Sequence, residues 1–129
     1  MYGRQEIQGR FAAGTPWVQD EDLRTLLALC DVVISGNSTV VLEAMLMHKP
    51  VLLCVRPIDR DFKEFEEAGA VMVARTQEAL LAQALALTDA GARRALVARA
   101  DDFLKRNFIL DGTSARRVAA LVRTPSALS

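Results

Sequence analysis

The chain has little with which to build a metal centre, a disulfide or an electrostatic landing surface. It contains one histidine and two cysteines in 129 residues. Cys30 and Cys54 sit inside apolar stretches with neither CxxC spacing nor a histidine partner, so they read as buried, reduced thiols. Asp59 and Asp61 have no third ligand near them, and neither a metal nor a cofactor is expected. A lone histidine, His48, has no evident acid or nucleophile beside it in the sequence, which excludes it as a catalytic base at this level.

Charge of one sign is also missing, since lysine plus arginine and aspartate plus glutamate both total 16. No global field therefore recruits nucleic acid or a membrane surface. Arg93, Arg94, Arg99, Arg116 and Arg117 are interspersed with Asp101, Asp102 and Asp111 and lack aromatic interleaving, so they read as solvated helix faces. Apolar runs all fall short of the roughly 20 residues that span a bilayer. The opening Met1-Tyr2-Gly3-Arg4-Gln5-Glu6 is too polar for a signal peptide. A cytoplasmic protein without a transmembrane segment is the expectation.

What is present is apolar bulk, 51% of residues, enough for one continuous core in a chain of this length. Residues 1–13 show no periodicity and read as an arm or the remnant of an upstream element, and 124–129 as a flexible tail. The domain is expected over 14–123. Thr15-Pro16-Trp17-Val18 suits a short edge strand. Asp20 suits an N-cap for a helix carrying Leu23, Leu26, Leu27 and Cys30, ending near Asp31. Val32-Val33-Ile34 is a β-branched run without polar alternation, as in a central strand covered on both faces.

Beyond it, Ser38 or Thr39 opens a helix that His48-Lys49-Pro50 stops. Val51-Leu52-Leu53-Cys54-Val55 is a second apolar strand, followed by a charged loop. Phe62 to Ala68 reads as a short helix closed by Gly69, and Ala70-Val71-Met72-Val73 as a third strand. Thr76 caps a helix that breaks at Asp89-Ala90-Gly91, an arginine-rich helix spans about 92–105, and Thr113 begins a last helix striped by Val118, Leu121 and Val122. Alternating strands and helices predict an α/β fold: one Rossmann-like, three-layer domain around a parallel sheet.

The stretch Asp31-Val32-Val33-Ile34-Ser35-Gly36-Asn37-Ser38-Thr39-Val40-Val41-Leu42-Glu43-Ala44 couples a buried strand through a tight turn to a helix start. In a parallel α/β sheet, ligands bind beyond the carboxyl ends of the strands, where unpaired helix amides point. Gly36 permits a positive φ and close ligand approach, and Asn37, Ser38 and Thr39 offer amides or hydroxyls to phosphate oxygens. Glu43, one turn further among apolar neighbours, can accept hydrogen bonds from vicinal hydroxyls such as those of ribose. The same residues also suit ordinary capping and a solvated glutamate.

The run from Asp22 to Leu53 resembles the C-terminal, nucleotide-sugar-binding domain of GT-B-type glycosyltransferases. It is similar also to UDP-N-acetylglucosamine 2-epimerases, where Ser-Gly-Gly falls at Asn37, Ser38 and Thr39 and the ribose-binding glutamate at Glu43. In CDP-glycerol glycerophosphotransferases a Ser-Ser pair coincides with Ser38 and Thr39, an aspartate replaces Glu43, and Lys-Pro matches Lys49-Pro50. The resemblance implies that Gly36, Asn37, Ser38 and Thr39 contact the diphosphate of a UDP- or CDP-linked donor, Glu43 its ribose, and Arg56, Asp59 and Arg60 the donor or the domain cleft.

His48 departs from the glycine usual in these families before Lys-Pro, and reads as a helix terminator in a left-handed conformation. A complete GT-B enzyme also has an N-terminal acceptor domain and further opening strands, neither of which fits before Asp31. The expectation is thus a donor-binding half that supplies leaving-group contacts without a general base and is inactive alone. Two other classes compete: a non-catalytic α/β interaction domain, and a fragment that dimerises through an apolar sheet edge.

Overall fold

A computed structural model describes residues 13–56 and 62–123. Among these, helices and strands alternate through β3 and three helices follow: α1 (Leu23–Leu29), β1 (Val33–Ser35), α2 (Val40–Leu46), β2 (Val51–Cys54), α3 (Lys63–Glu67), β3 (Met72–Ala74), α4 (Gln77–Ala86), α5 (Ala90–Asn107) and α6 (Ser114–Arg123). The strands form one parallel sheet in the order β1-β2-β3. An α/β architecture is therefore present. Among the described residues no helix is long and apolar enough to cross a membrane.

Alternation along the strands divides the core between the two faces of the sheet. Val33, Val51 and Leu53 join Leu27 of α1, Val41, Ala44 and Met45 of α2, and Ala100, Phe103 and Leu104 of α5 in one cluster. Leu52 and Ala74 point the other way, into a smaller cluster with Leu87 and Leu96. α4 packs on β3 and β2. The long α5 contributes to both clusters, its Leu96 to one and its Phe103 to the other.

β1 corrects the sequence-based expectation. It is an edge strand of the described sheet rather than a central one, and Ile34 is 54% exposed. The β-branched run does reach the core at Val33, but α4 lies over the other two strands, so nothing described shields Ile34. No strand forms at Thr15-Pro16-Trp17-Val18.

Local chemistry explains the helix starts. Asp22, not Asp20, caps α1, its carboxylate accepting from the Thr25 amide at 3.1 Å. Thr76 Oγ1 accepts from the Ala79 amide at 3.1 Å to open α4. Asp89 accepts from the Ala92 amide at 2.7 Å, so the expected break at Asp89-Ala90-Gly91 is instead the first turn of α5. Each such cap stabilises its helix by about 1 kcal/mol. His48 ends α2 with φ +56 and Gly69 follows α3 with φ +65, both left-handed as expected of helix stops. α6 has the expected Val118, Leu121 and Val122 stripe, yet every one of its residues is exposed.

Candidate functional site

The carboxyl ends of β1, β2 and β3 bring together three loops that are distant in sequence. Ser35-Gly36-Asn37 leaves β1, Val55-Arg56 leaves β2, and Arg75-Thr76 leaves β3. Register pairs Ser35 with Leu53 and Cys54 with Ala74, so the three exits are level across the sheet. A Cβ placed on Gly36 would lie 3.8 Å from the Cys54 carbonyl oxygen, which measures how closely the first two exits approach.

The residues at the start of α2 are mostly exposed. Gly36, Asn37 and Thr39 are exposed, and Ser38 is half-buried. Thr39 is the N-cap residue but makes no side-chain cap. The Ser38 hydroxyl accepts from the Val40 amide at 3.3 Å, while the Val41 amide donates to the Ser38 carbonyl and the Leu42 and Glu43 amides to that of Thr39. Among the described residues, no hydrogen bond involves the amides of Ser38 and Thr39 themselves. Two donors at a helix start can thus receive an oxyanion.

Two details differ from the sequence-based picture. Gly36 is not among the residues with positive φ, so its lack of a side chain serves proximity rather than a left-handed turn. Glu43 lies in the first turn of α2 and is exposed; the buried face is made by Val41, Ala44 and Met45. Helical geometry puts Glu43 on the side away from the core, since it is roughly 150° from the middle of that face. Arg56 is exposed at the end of β2. Asp59 and Arg60 lie outside the described residues, as does Asp61.

A separate cavity of about 290 Å³ lies at the carboxyl ends of β2 and β3, between Cys54, Val55 and Arg56 on one side and Arg75, Thr76 and Gln77 on the other. The sequence marks Thr76 only as a helix cap and gives no site role to Arg75 or Gln77, because only the pairing of β2 with β3 brings them to this end. Arg75 is committed to a two-pronged ion pair with Glu66, at 2.8 and 2.7 Å. That contact raises the guanidinium's pKa and holds the Glu66 carboxyl below the ordinary carboxylate value. Burial pushes the Cys54 thiol up, away from the thiolate a nucleophile requires. Both cysteines are free and half-buried rather than fully buried, and Cys30 donates its thiol hydrogen to the Leu27 carbonyl at 3.3 Å.

A larger cavity, about 360 Å³, lies at the opposite end of the strands, among Cys30, Asp31, His48, Lys49, Arg93 and Asp101. Its cations are largely structural. Lys49 Nζ donates to the carbonyls of Ala28 and Cys30 at 3.1 and 3.0 Å, and Arg93 to those of Leu87 and Thr88 at 2.9 Å, satisfying the carboxyl ends of α1 and α4. His48 does have an acid beside it after all, Asp101 of α5 at 3.0 Å. Trp17 is half-buried, its indole nitrogen buried without a hydrogen-bond partner among the described residues. Groups of three or more metal-ligating side chains are absent among the described residues.

Compared with known proteins, the chain matches no family model, no curated protein and no solved structure.

Proposed function

We propose that this chain is a Rossmann-like, donor-binding domain of the GT-B glycosyltransferase type, holding the diphosphate and ribose of a UDP- or CDP-activated sugar. The observation that carries the reading is the exposed start of α2 immediately after β1, where the Ser38 and Thr39 amides make no hydrogen bond among the described residues. A diphosphate placed there meets fixed dipoles oriented toward negative charge. Asn37 and the hydroxyls of Ser38 and Thr39 supply further contacts. Gly36 lets the ligand approach the backbone between β1 and β2, and Arg56, at the exit of β2, is a further candidate for donor contact, as the resemblance implies also for Asp59 and Arg60.

In a transfer reaction the oxyanion contacts stabilise the departing nucleoside diphosphate as charge develops on it. The acceptor and its general base belong to a separate, N-terminal domain, so this chain alone binds donor without turnover. The epimerase-like and glycerophosphotransferase-like readings use the same diphosphate and ribose positions and differ only in what the rest of the enzyme does.

Calorimetric titration of the folded chain with UDP, CDP and GDP tests the proposal. Weak binding is expected, because a half site lacks contacts from the other domain. Glu43→Ala should weaken it by about five- to tenfold, the cost of a lost hydrogen-bond acceptor. An unchanged affinity removes the ribose role of Glu43. Silence toward all three nucleotides in a folded sample overturns the proposal in favour of a non-catalytic interaction domain.

A further inference from the structure

We infer that the cavity of about 360 Å³ at the amino ends of the strands binds a small zwitterion of the α-amino-acid class, independently of the nucleotide reading. Its lining comes from two parts of the fold that differ in charge. One is a face of α5, where Arg93, Arg94, Val97, Ala98 and Asp101 recur at helical spacing. The other is Asp31, between α1 and β1, with His48, Lys49 and Pro50 between α2 and β2.

Most of these charges are already fixed. Asp101 is held by His48 at 3.0 Å, which leaves the arginines to set the charge of the α5 face. Arg93 commits Nη1 to the Leu87 and Thr88 carbonyls and keeps its Nε and Nη2 hydrogens. Lys49 commits two of its three hydrogens to the Ala28 and Cys30 carbonyls. Both cations are half-buried and anchored, so their remaining donors are preorganised.

Arg94 and Asp31 differ from the rest. Among the described residues neither makes an ion pair or a side-chain hydrogen bond. A guanidinium and a carboxylate therefore border one cavity without reaching each other. A plain anion would meet Asp31, and a plain cation the arginines; a molecule carrying both charges satisfies the two ends at once. An α-amino acid does this with its carboxylate on Arg94 and the remaining donors of Arg93, and its ammonium on Asp31. Pro50, Val97 and Ala98 supply aliphatic lining for its side chain. The volume falls within the roughly 300–1,000 Å³ of small-molecule sites.

Isothermal titration calorimetry of the full chain with L-leucine reads the inference, against isocaproate, which lacks the ammonium, and isoamylamine, which lacks the carboxylate. Saturable binding of leucine is expected, with both analogues at least about tenfold weaker. Asp31→Asn should weaken leucine about tenfold without weakening isocaproate, and Arg94→Ala should weaken leucine and isocaproate without weakening isoamylamine. Both residues are exposed, so the two variants should keep the wild-type thermal midpoint. No saturable binding of leucine overturns the inference. So does equal affinity for isocaproate, which would make the cavity a plain anion site, or leucine binding that survives both substitutions.

Discussion

His48 and Asp101 stand 53 residues apart in the chain, yet the imidazole Nδ1 lies 3.0 and 3.1 Å from the two carboxylate oxygens. An ionised carboxylate only accepts, so Nδ1 carries the hydrogen. The contact joins the end of α2 to the middle of α5, the same pair of helices that closes one face of the core. It is also exposed, with 70% of the His48 side chain accessible.

Two opposing effects meet at His48. Its φ of +56 is a left-handed conformation, which costs an L-residue about 1 kcal/mol, whereas the exposed contact with Asp101 contributes less than about 1 kcal/mol. His48→Gly therefore removes strain while losing the contact, and its stability in urea should stay within about 1 kcal/mol of wild type. His48→Ala keeps the strain and loses the contact. It should fall below the glycine variant by about 1 kcal/mol; equal stabilities would show that the left-handed stop is not being selected.

Gly36 separates folding from ligand approach. Its φ is not positive and an added Cβ would meet only the Cys54 carbonyl, at an ordinary 3.8 Å. Gly36→Ala should then leave stability unchanged or raise it by about 0.5 kcal/mol through the unfolded chain. If the turn receives a diphosphate, the same change should reduce nucleotide affinity in calorimetry. A stable variant with wild-type affinity would move the ligand elsewhere.

Much of the local structure was legible because short-range rules decide it. Thr76 as a cap and His48 and Gly69 as stops follow from neighbouring residues, and so does the bend at Gly36-Asn37-Ser38, one residue later than expected because Ser35 still belongs to β1. Gly91 shows the limit. A side chain there would come within 2.9 Å of the Asp89 carboxylate, so the glycine accommodates a cap that the sequence presents as a break. Position in the sheet was not legible, since Val32-Val33-Ile34 and Val51-Leu52-Leu53 are equally apolar and only strand order makes β1 an edge. Nor was the cavity between the ends of β2 and β3, which depends on a nonlocal pairing. The turn and helix start of the candidate site were visible as a motif, but the outward position of Glu43 required the buried face of α2 to be known.

The edge position of β1 has an energetic signature. Leu52 on β2 is fully buried, whereas its register partner Ile34 is 54% exposed. Leu52→Ala should cost about 2–5 kcal/mol by removing packed atoms and leaving a cavity. Ile34→Ala should cost less than about 1 kcal/mol, because most of that side chain is already in water. Chemical denaturation of both variants compares them; similar losses would mean that Ile34 is covered in solution.

Acidification should act through Glu66 in a predictable direction. Its hydrogen bonds with Arg75 hold its carboxyl pKa below the ordinary value, outweighing the upward effect of burial. The folded state therefore favours the ionised form more than the unfolded chain does. The resulting stabilisation is complete above the unfolded-state pKa and disappears as pH falls through the lowered folded-state value. Solvent screening keeps it small, since the two side chains are 42% and 36% exposed. Glu66→Gln should be modestly less stable than wild type at neutral pH, with denaturation midpoints converging as the medium is acidified. A gap that is constant or widens toward low pH would show that Glu66 acts through packing, because only the ionised carboxylate can maintain the charge-assisted fork with Arg75.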